Sequence, residues 1–93
     1  MTAQIKEHSI PSYGGVFQIM PLENHKLLSV SLIDEFLYIN SLEDDSGNMD
    51  NVTKQILVVN PNTYIHDVTD PAYLKFIDSV VVNNCVLHVF EIL

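Results

Sequence analysis

The C-terminal stretch Asp70–Leu93 reads DPAYLKFIDSVVVNNCVLHVFEIL, and it carries the strongest structural signals in the sequence. Asp70 suits the N-cap of a helix, and Pro71 suits the first helical position, where its missing N–H would have no intrahelical partner. The next apolar residues are spaced to share one helical face, namely Tyr73, Leu74 and Ile77. This pattern predicts one short helix over residues 71–78.

The residues that follow predict a β-hairpin. Ser79–Val82 is rich in β-branched residues, which favour strands, and Asn83-Asn84 suits a two-residue turn with left-handed backbone. A two-residue turn pairs Val82 with Cys85, Val80 with Leu87, and Ser79 with His88. Both faces of the hairpin are then apolar, whereas a pair with one wet face should alternate apolar and polar residues. We therefore expect cover on both faces, from the helix and from other strands or a partner chain.

The preceding chain predicts more strands. Residues 4–10 are expected to form an edge strand or an extended arm, and Pro11–Gly15 a loop. Val16–Met20 is predicted as a strand, and Val52–Val59 as a strand that pairs with Thr63–Val68 in a second hairpin. Prolines at the element ends support these boundaries.

Residues 27–42 fit two alternatives. They read either as two strands around Asp34-Glu35 or as one helix with a stripe at Leu28, Leu32, Phe36 and Ile39. Mediocre helix formers in this stretch favour the strands. Because Asp-Glu is a poor two-residue hairpin turn, we expect a strand with a bend or bulge near Asp34.

These elements predict an α+β fold that is mostly antiparallel sheet, closed as a small sandwich or a partly open barrel. The 93 residues predict a single compact domain over residues 1–93. Apolar residues make up 47% and charged residues 17%, against a usual charged share of about 25%. A chain this small is therefore expected to expose apolar surface or to cover it with another subunit.

The charge balance is strongly acidic. The formal net charge is −8, and the basic side chains are four lysines with no arginine. Nucleic acids and anionic membranes are bound by clustered basic residues, so neither is an expected partner. We find no apolar signal region at the N-terminus and no membrane-length apolar run. A single cysteine does not require an oxidising compartment. The expected location is the cytoplasm, or the host cytoplasm or virion for a viral chain.

Residues 43–51 predict an exposed acidic loop that carries Glu43, Asp44, Asp45 and Asp50 without a basic residue. The EF-hand pattern is absent because Leu42 occupies the position of its first acidic ligand. An irregular calcium cage is the less favoured alternative to a solvated loop, and its ligands would be Asp44, Asp45, Asn48 and Asp50.

The sequence shows no catalytic constellation. Cys85 and His88 lie on opposite faces of their strand, and Cys85 is expected to be a buried, inert thiol. Ser79 opposite His88 predicts a cross-strand hydrogen bond, because a nucleophile would also need an orienting group and an oxyanion hole. His66, Asp67 and Asp70 lack the spacing of a metal site. We expect no enzyme activity, no cofactor and no metal.

The expected function is that of a non-catalytic structural or assembly protein, which forms oligomers or part of a larger assembly such as a viral particle. The alternative is a small acidic inhibitor, or nucleic-acid mimic, that binds a basic enzyme surface. The expected partner is another protein or a second copy of the chain. The candidate interaction residues are Tyr13, Glu43, Asp44, Asp45, Asp50, Val81, Val86 and Phe90.

Overall fold

A computed structural model describes residues 2–47, 50–61 and 70–93. Over these residues the chain is mostly antiparallel β-structure, as predicted. The strands are β1 (Ala3–Pro11), β2 (Gly15–Ile19), β3 (His25–Ile33), β4 (Phe36–Asp44), β5 (Lys54–Val59), β6 (Leu74–Val82) and β7 (Cys85–Ile92). The described helical structure is a single 3-10 turn at Pro71–Tyr73. No helix in the described ranges is long and apolar enough to cross a membrane.

The described strands form two sheets that pack face to face. One sheet has the strand order β1-β4-β3 and the other the order β2-β5-β7-β6. Alternating residues of each strand point between the sheets and form one apolar core, made of Ile10, Ile19, Val30, Leu37, Ile39, Ile56, Val58, Leu87 and Val89. The arrangement is therefore a two-layer sandwich over the described part of the chain.

The C-terminal hairpin has the predicted register. Val82 pairs with Cys85, and Ser79 pairs with His88. Asn83 and Asn84 adopt φ values of 51° and 66°, the left-handed conformation that a two-residue turn requires. The inner face of this hairpin packs against the core, where Val80 and Val82 join the buried cluster.

The helix predicted over residues 71–78 is wrong. The Asp70 carboxylate does accept a hydrogen bond from Ala72 N at 2.9 Å, but Leu74 already has extended backbone with φ −105° and ψ 129°. From Leu74 onward the chain belongs to β6, where Phe76 pairs with Phe90. A two-turn helix is marginal by itself, and strand pairing with β7 outweighs the local helical pattern. The helix therefore cannot cover the hairpin as expected.

Residues 27–42 are strands, as the weak helix formers predicted. The expected bend near Asp34 is in fact a full two-residue hairpin turn between β3 and β4, with φ values of 49° at Asp34 and 73° at Glu35. A register shift between Leu27 and Ser29 adds a bulge in β3. Eight residues of β4 pair with both β1 and β3, and this pairing imposes a turn that the Asp-Glu pair does not favour alone.

The N-terminal predictions also hold: residues 4–10 lie in the edge strand β1, and β2 covers most of Val16–Met20. Strand β5 lies within the predicted Val52–Val59 strand and has β2 and β7 as its neighbours. Its predicted hairpin partner, Thr63–Val68, lies outside the described residues.

Candidate functional site

The four-stranded sheet has a second face that points away from the core, here called the outer face. Strand registers assign its members as Val16, Gln18, Gln55, Leu57, Val59, Leu74, Phe76, Ser79, Val81, Val86, His88, Phe90 and Ile92. Most of these residues are apolar, and none is Asp, Glu or Lys. In a protein of net charge −8, the described strands thus contribute no carboxylate or ammonium side chain to this face.

Several apolar side chains of the outer face are accessible to solvent. Val16 is 46% exposed, Phe76 56%, Val81 63% and Val86 38%. Leu57, at the centre, is only 4% exposed. The Phe76 ring packs edge-on against Phe90 with 5.6 Å between ring centroids. The structure therefore brings three predicted interaction residues, Val81, Val86 and Phe90, onto one surface.

Two polar residues of the outer face, Ser79 and His88, are hydrogen-bonded to each other. Ser79 Oγ lies 2.8 Å from His88 Nδ1, which confirms the predicted cross-strand hydrogen bond. Asp78 instead accepts hydrogen bonds from Val30 N at 3.1 Å and from Ser79 N at 2.8 Å. Because its carboxylate is directed to backbone amides, Asp78 does not serve as the orienting group of a Ser–His nucleophile.

The outer side of the three-stranded sheet has a different character. Asn40 donates its side-chain amide to the hydroxyls of Ser29 at 3.1 Å and Ser31 at 2.9 Å. Glu7 on β1 is exposed on this side. Ile5 and Phe36 are also exposed on this side, at 62% and 51%, so it mixes charged, polar and apolar residues, whereas the described residues of the outer face include no Asp, Glu or Lys.

Glu43 is not part of an exposed loop, contrary to the prediction. It belongs to β4, at an inward position of the alternation that also buries Leu37, Ile39 and Ser41, and is 1% exposed. Its Oε1 accepts from Leu22 N at 2.9 Å, and its Oε2 accepts from His8 Nε2 at 2.6 Å. Burial alone would raise the pKa of Glu43, but these hydrogen bonds outweigh it and lower the pKa below its ordinary value. Glu43 is therefore a structural carboxylate.

The other acidic candidates lie near this end of β4. Asp44 accepts from the hydroxyl of Ser46 at 2.6 Å and from its backbone N–H at 2.9 Å, and these bonds lower the pKa of Asp44. Asp45 is partly buried, and Asp50 is exposed. Among the described residues no group of three or more His, Cys, Asp or Glu side chains could hold a metal ion. Asn48 of the hypothetical calcium cage, and His66 and Asp67, lie outside the described residues.

Cys85 is exposed, which corrects the expectation of a buried thiol. It is the first residue of β7, directly after the Asn83-Asn84 turn. Cys85 occupies a strand position that faces inward, but it lies at the very end of the sheet. Its side chain is therefore at the edge of the core, where solvent reaches it.

A second surface lies at the end of the sandwich where three connections meet, here called the end cleft. It encloses about 500 Å³, and its lining includes Pro11, Tyr13, Leu32, Glu35, Phe36 and Val82. Tyr13, predicted as an exposed contact, is 63% exposed and packs edge-on against Phe17 at 5.6 Å. The sequence does not identify Leu32 and Phe36 as members of this cleft. Their place in it depends on the tight turn at Asp34-Glu35, where the sequence predicts only a bend.

Comparison of the chain with protein-family models, with curated proteins and with solved structures finds no match. Its function has to be inferred from the outer face and the end cleft. Both are formed by side chains that neighbouring strands bring together, and within the described ranges neither includes a nucleophile held by a base and an orienting group.

Proposed function

We propose that this chain is a non-catalytic assembly protein whose copies associate through the outer face of the four-stranded sheet. The observation that supports this function is the absence of Asp, Glu and Lys from that face in a chain of net charge −8. Charged side chains spread over a surface keep acidic proteins apart in solution. A charge-free face with exposed Phe76 and Val81 gains free energy when another surface covers it.

A second copy is the occupant that fits the face best. Two outer faces bring apolar side chains together without burying a charge that lacks a partner, which would be costly. A stack of two identical faces is also closed by two-fold symmetry, the commonest arrangement of homo-oligomers. The carboxylates of each copy then lie away from the contact, where they repel across solvent.

The dimensions of the face predict reversible association. Four strands about 4.8 Å apart, each contributing about six residues at about 3.3 Å, make a face of about 400 Å². Two copies would bury at most about 800 Å², because Leu57 at the centre is already covered within one chain, and this area is below the roughly 1,200–2,000 Å² of stable specific interfaces. We therefore expect a dissociation constant of about 10–100 µM, which suits an assembly whose contacts act together.

A matched pair of substitutions tests this function. Val81 on the outer face and Ile5 on β1 are 63% and 62% exposed, and both are apolar strand residues. Val81→Lys and Ile5→Lys make the same change of charge on different sheets. In sedimentation velocity between about 5 µM and about 500 µM protein, a range that brackets this dissociation constant, we expect wild type and Ile5→Lys to self-associate. Val81→Lys should sediment as a monomer.

Two results would contradict the proposal. The first is a wild-type chain that remains monomeric at the highest concentration. The second is self-association that Val81→Lys leaves unchanged, because the contact would then lie elsewhere.

The acidic-inhibitor alternative is favoured by the net charge, but Glu43 is buried and is not available to a basic partner. Salt separates the two functions. Screening weakens the binding of an acidic surface to a basic one, whereas it reduces the repulsion between two acidic copies. Self-association that becomes tighter with added salt therefore supports the assembly function.

A further inference from the structure

We propose that the end cleft binds a proline-rich segment of a partner protein that carries an arginine. This proposal uses a surface separate from the outer face and does not depend on self-association. It rests on three features of the cleft: its aromatic lining, its fixed walls and its carboxylate.

The lining suits a polyproline II segment. Tyr13 is 63% exposed, Phe36 51% and Leu32 40%, so the cleft presents large apolar side chains that are about half exposed. Proline-rich segments dock in grooves lined with aromatic rings, because their extended helix is already formed and has no internal hydrogen bonds. Tyr13 and Asn83 at the cleft can donate hydrogen bonds to the carbonyl oxygens of prolines. The volume of about 500 Å³ lies within the usual range of ligand clefts.

The walls of the cleft are held in place before any ligand arrives. Ser12 donates its hydroxyl to the carbonyl oxygen of Glu35 at 2.6 Å, which ties the β1–β2 connection to the β3–β4 turn. The Tyr13 ring rests edge-on against Phe17. A site that does not have to be ordered on binding loses less free energy to entropy, so a short peptide suffices as a ligand.

The charge of the cleft selects a cation. Glu35 lines the cleft, Asp34 precedes it in the same turn, and no lysine is among the lining residues. Glu35 has a φ of 73°, a conformation in which glycine would be less strained, and it is exposed, so its carboxylate is accessible to a cationic ligand. An arginine side chain can pair with this carboxylate in bidentate geometry and can lie over the Tyr13 or Phe36 ring.

Fluorescence anisotropy with a labelled probe peptide tests the proposal. The probe is Pro-Leu-Arg-Pro-Pro-Leu-amide with the fluorophore on its N-terminus, and the matched control has glutamine in place of arginine. We expect the wild-type chain to bind the arginine peptide with a dissociation constant of about 100 µM and the glutamine peptide three- to tenfold more weakly. Tyr13→Ala and Phe36→Ala should each weaken the arginine peptide at least tenfold. Tyr73→Ala removes an aromatic side chain that is 56% exposed at the other end of β6 and should leave binding unchanged.

Glu35→Gly separates the loss of the carboxylate from damage to the fold. Glycine relieves the positive φ, so the melting temperature should stay equal or rise, while the preference for arginine over glutamine should disappear. Three results would overturn the proposal: no saturable binding of the probe below about 1 mM, binding that Tyr13→Ala and Phe36→Ala leave unchanged, or an arginine preference that survives in Glu35→Gly. Loss of self-association in Phe36→Ala without any peptide binding would instead assign the cleft to a second copy.

Discussion

Glu43→Gln replaces a carboxylate that is 1% exposed and accepts hydrogen bonds from two distant parts of the chain, Leu22 N and the His8 side chain. A hydrogen bond to a charged group contributes about 1.5–3 kcal/mol and a neutral one about 0.5–1.5 kcal/mol. Glutamine keeps one neutral bond to Leu22 and presents either an unmatched amide or a weaker bond to His8. Burying an amide costs less desolvation free energy than burying a carboxylate, which offsets part of this loss. We therefore expect the free energy of unfolding to fall by about 2 kcal/mol at pH 7.

The pKa of Glu43 gives the effect a defined pH dependence. Hydrogen bonds from His8 and Leu22 lower this pKa in the folded chain below its ordinary value of 4.5, so the unfolded chain takes up the proton first as the pH falls. The stability that ionised Glu43 contributes is present above pH 4.5 and is lost as the pH falls through the folded pKa. Wild type should therefore lose stability on acidification, and Glu43→Gln should lose less over the same range.

Urea unfolding followed by circular dichroism at pH 7 and at pH 3 measures both effects. A loss of about 2 kcal/mol at pH 7 corresponds to a melting temperature lower by about 8–16 °C for a domain of this size. Glu7→Gln makes the same chemical change at an exposed position of β1 and should stay within about 0.5 kcal/mol of wild type. A Glu43→Gln variant as stable as Glu7→Gln at pH 7, or one with the pH dependence of wild type, would refute this account of the buried carboxylate.

Three further predictions concern the β6–β7 hairpin. Asn84→Ala should lower the free energy of unfolding by about 1 kcal/mol, because φ is 66° at this residue and alanine is strained in that conformation. Asn84→Gly, measured alongside by urea unfolding, should be at least as stable as wild type. Asp78→Ala should destabilise the chain by about 1–3 kcal/mol, because it leaves the Val30 N–H without its acceptor between the two sheets, and an unchanged urea midpoint would count against this bridge. Cys85 is exposed and should react fully with Ellman's reagent in the native chain; a reaction that begins only in urea would show that the thiol is covered.

The parts of the fold that the sequence predicts are those with a strong local cause. Asn83-Asn84 has a backbone preference that specifies the turn, and the β-branched residues on each side then fix the register down to Ser79 opposite His88. The helix at residues 71–78 fails because its local signal is real but short. Asp70 still caps one turn, after which pairing with β7 decides the conformation of Leu74 and Phe76.

The candidate surfaces are predictable only where strand alternation is enough. Val81, Val86 and Phe90 share a face because their spacing and the hairpin register place them there. The burial of Glu43 was not predictable, because its partners Leu22 and His8 are 21 and 35 residues away in sequence. The end cleft likewise depends on three turns that come together only in the folded chain. The sequence therefore does not indicate that Leu32 and Phe36 lie next to Tyr13.

Sedimentation equilibrium of the wild-type chain at low and high salt tests the proposal that the outer face brings copies of this chain together. Within the micromolar range, we expect the average mass to rise above that of one chain with concentration. It should rise further when sodium chloride is increased from about 0.05 M to about 0.5 M, because salt screens the repulsion between copies of charge −8. A mass that stays at one chain under both conditions, or association that salt dissolves, would contradict the proposal.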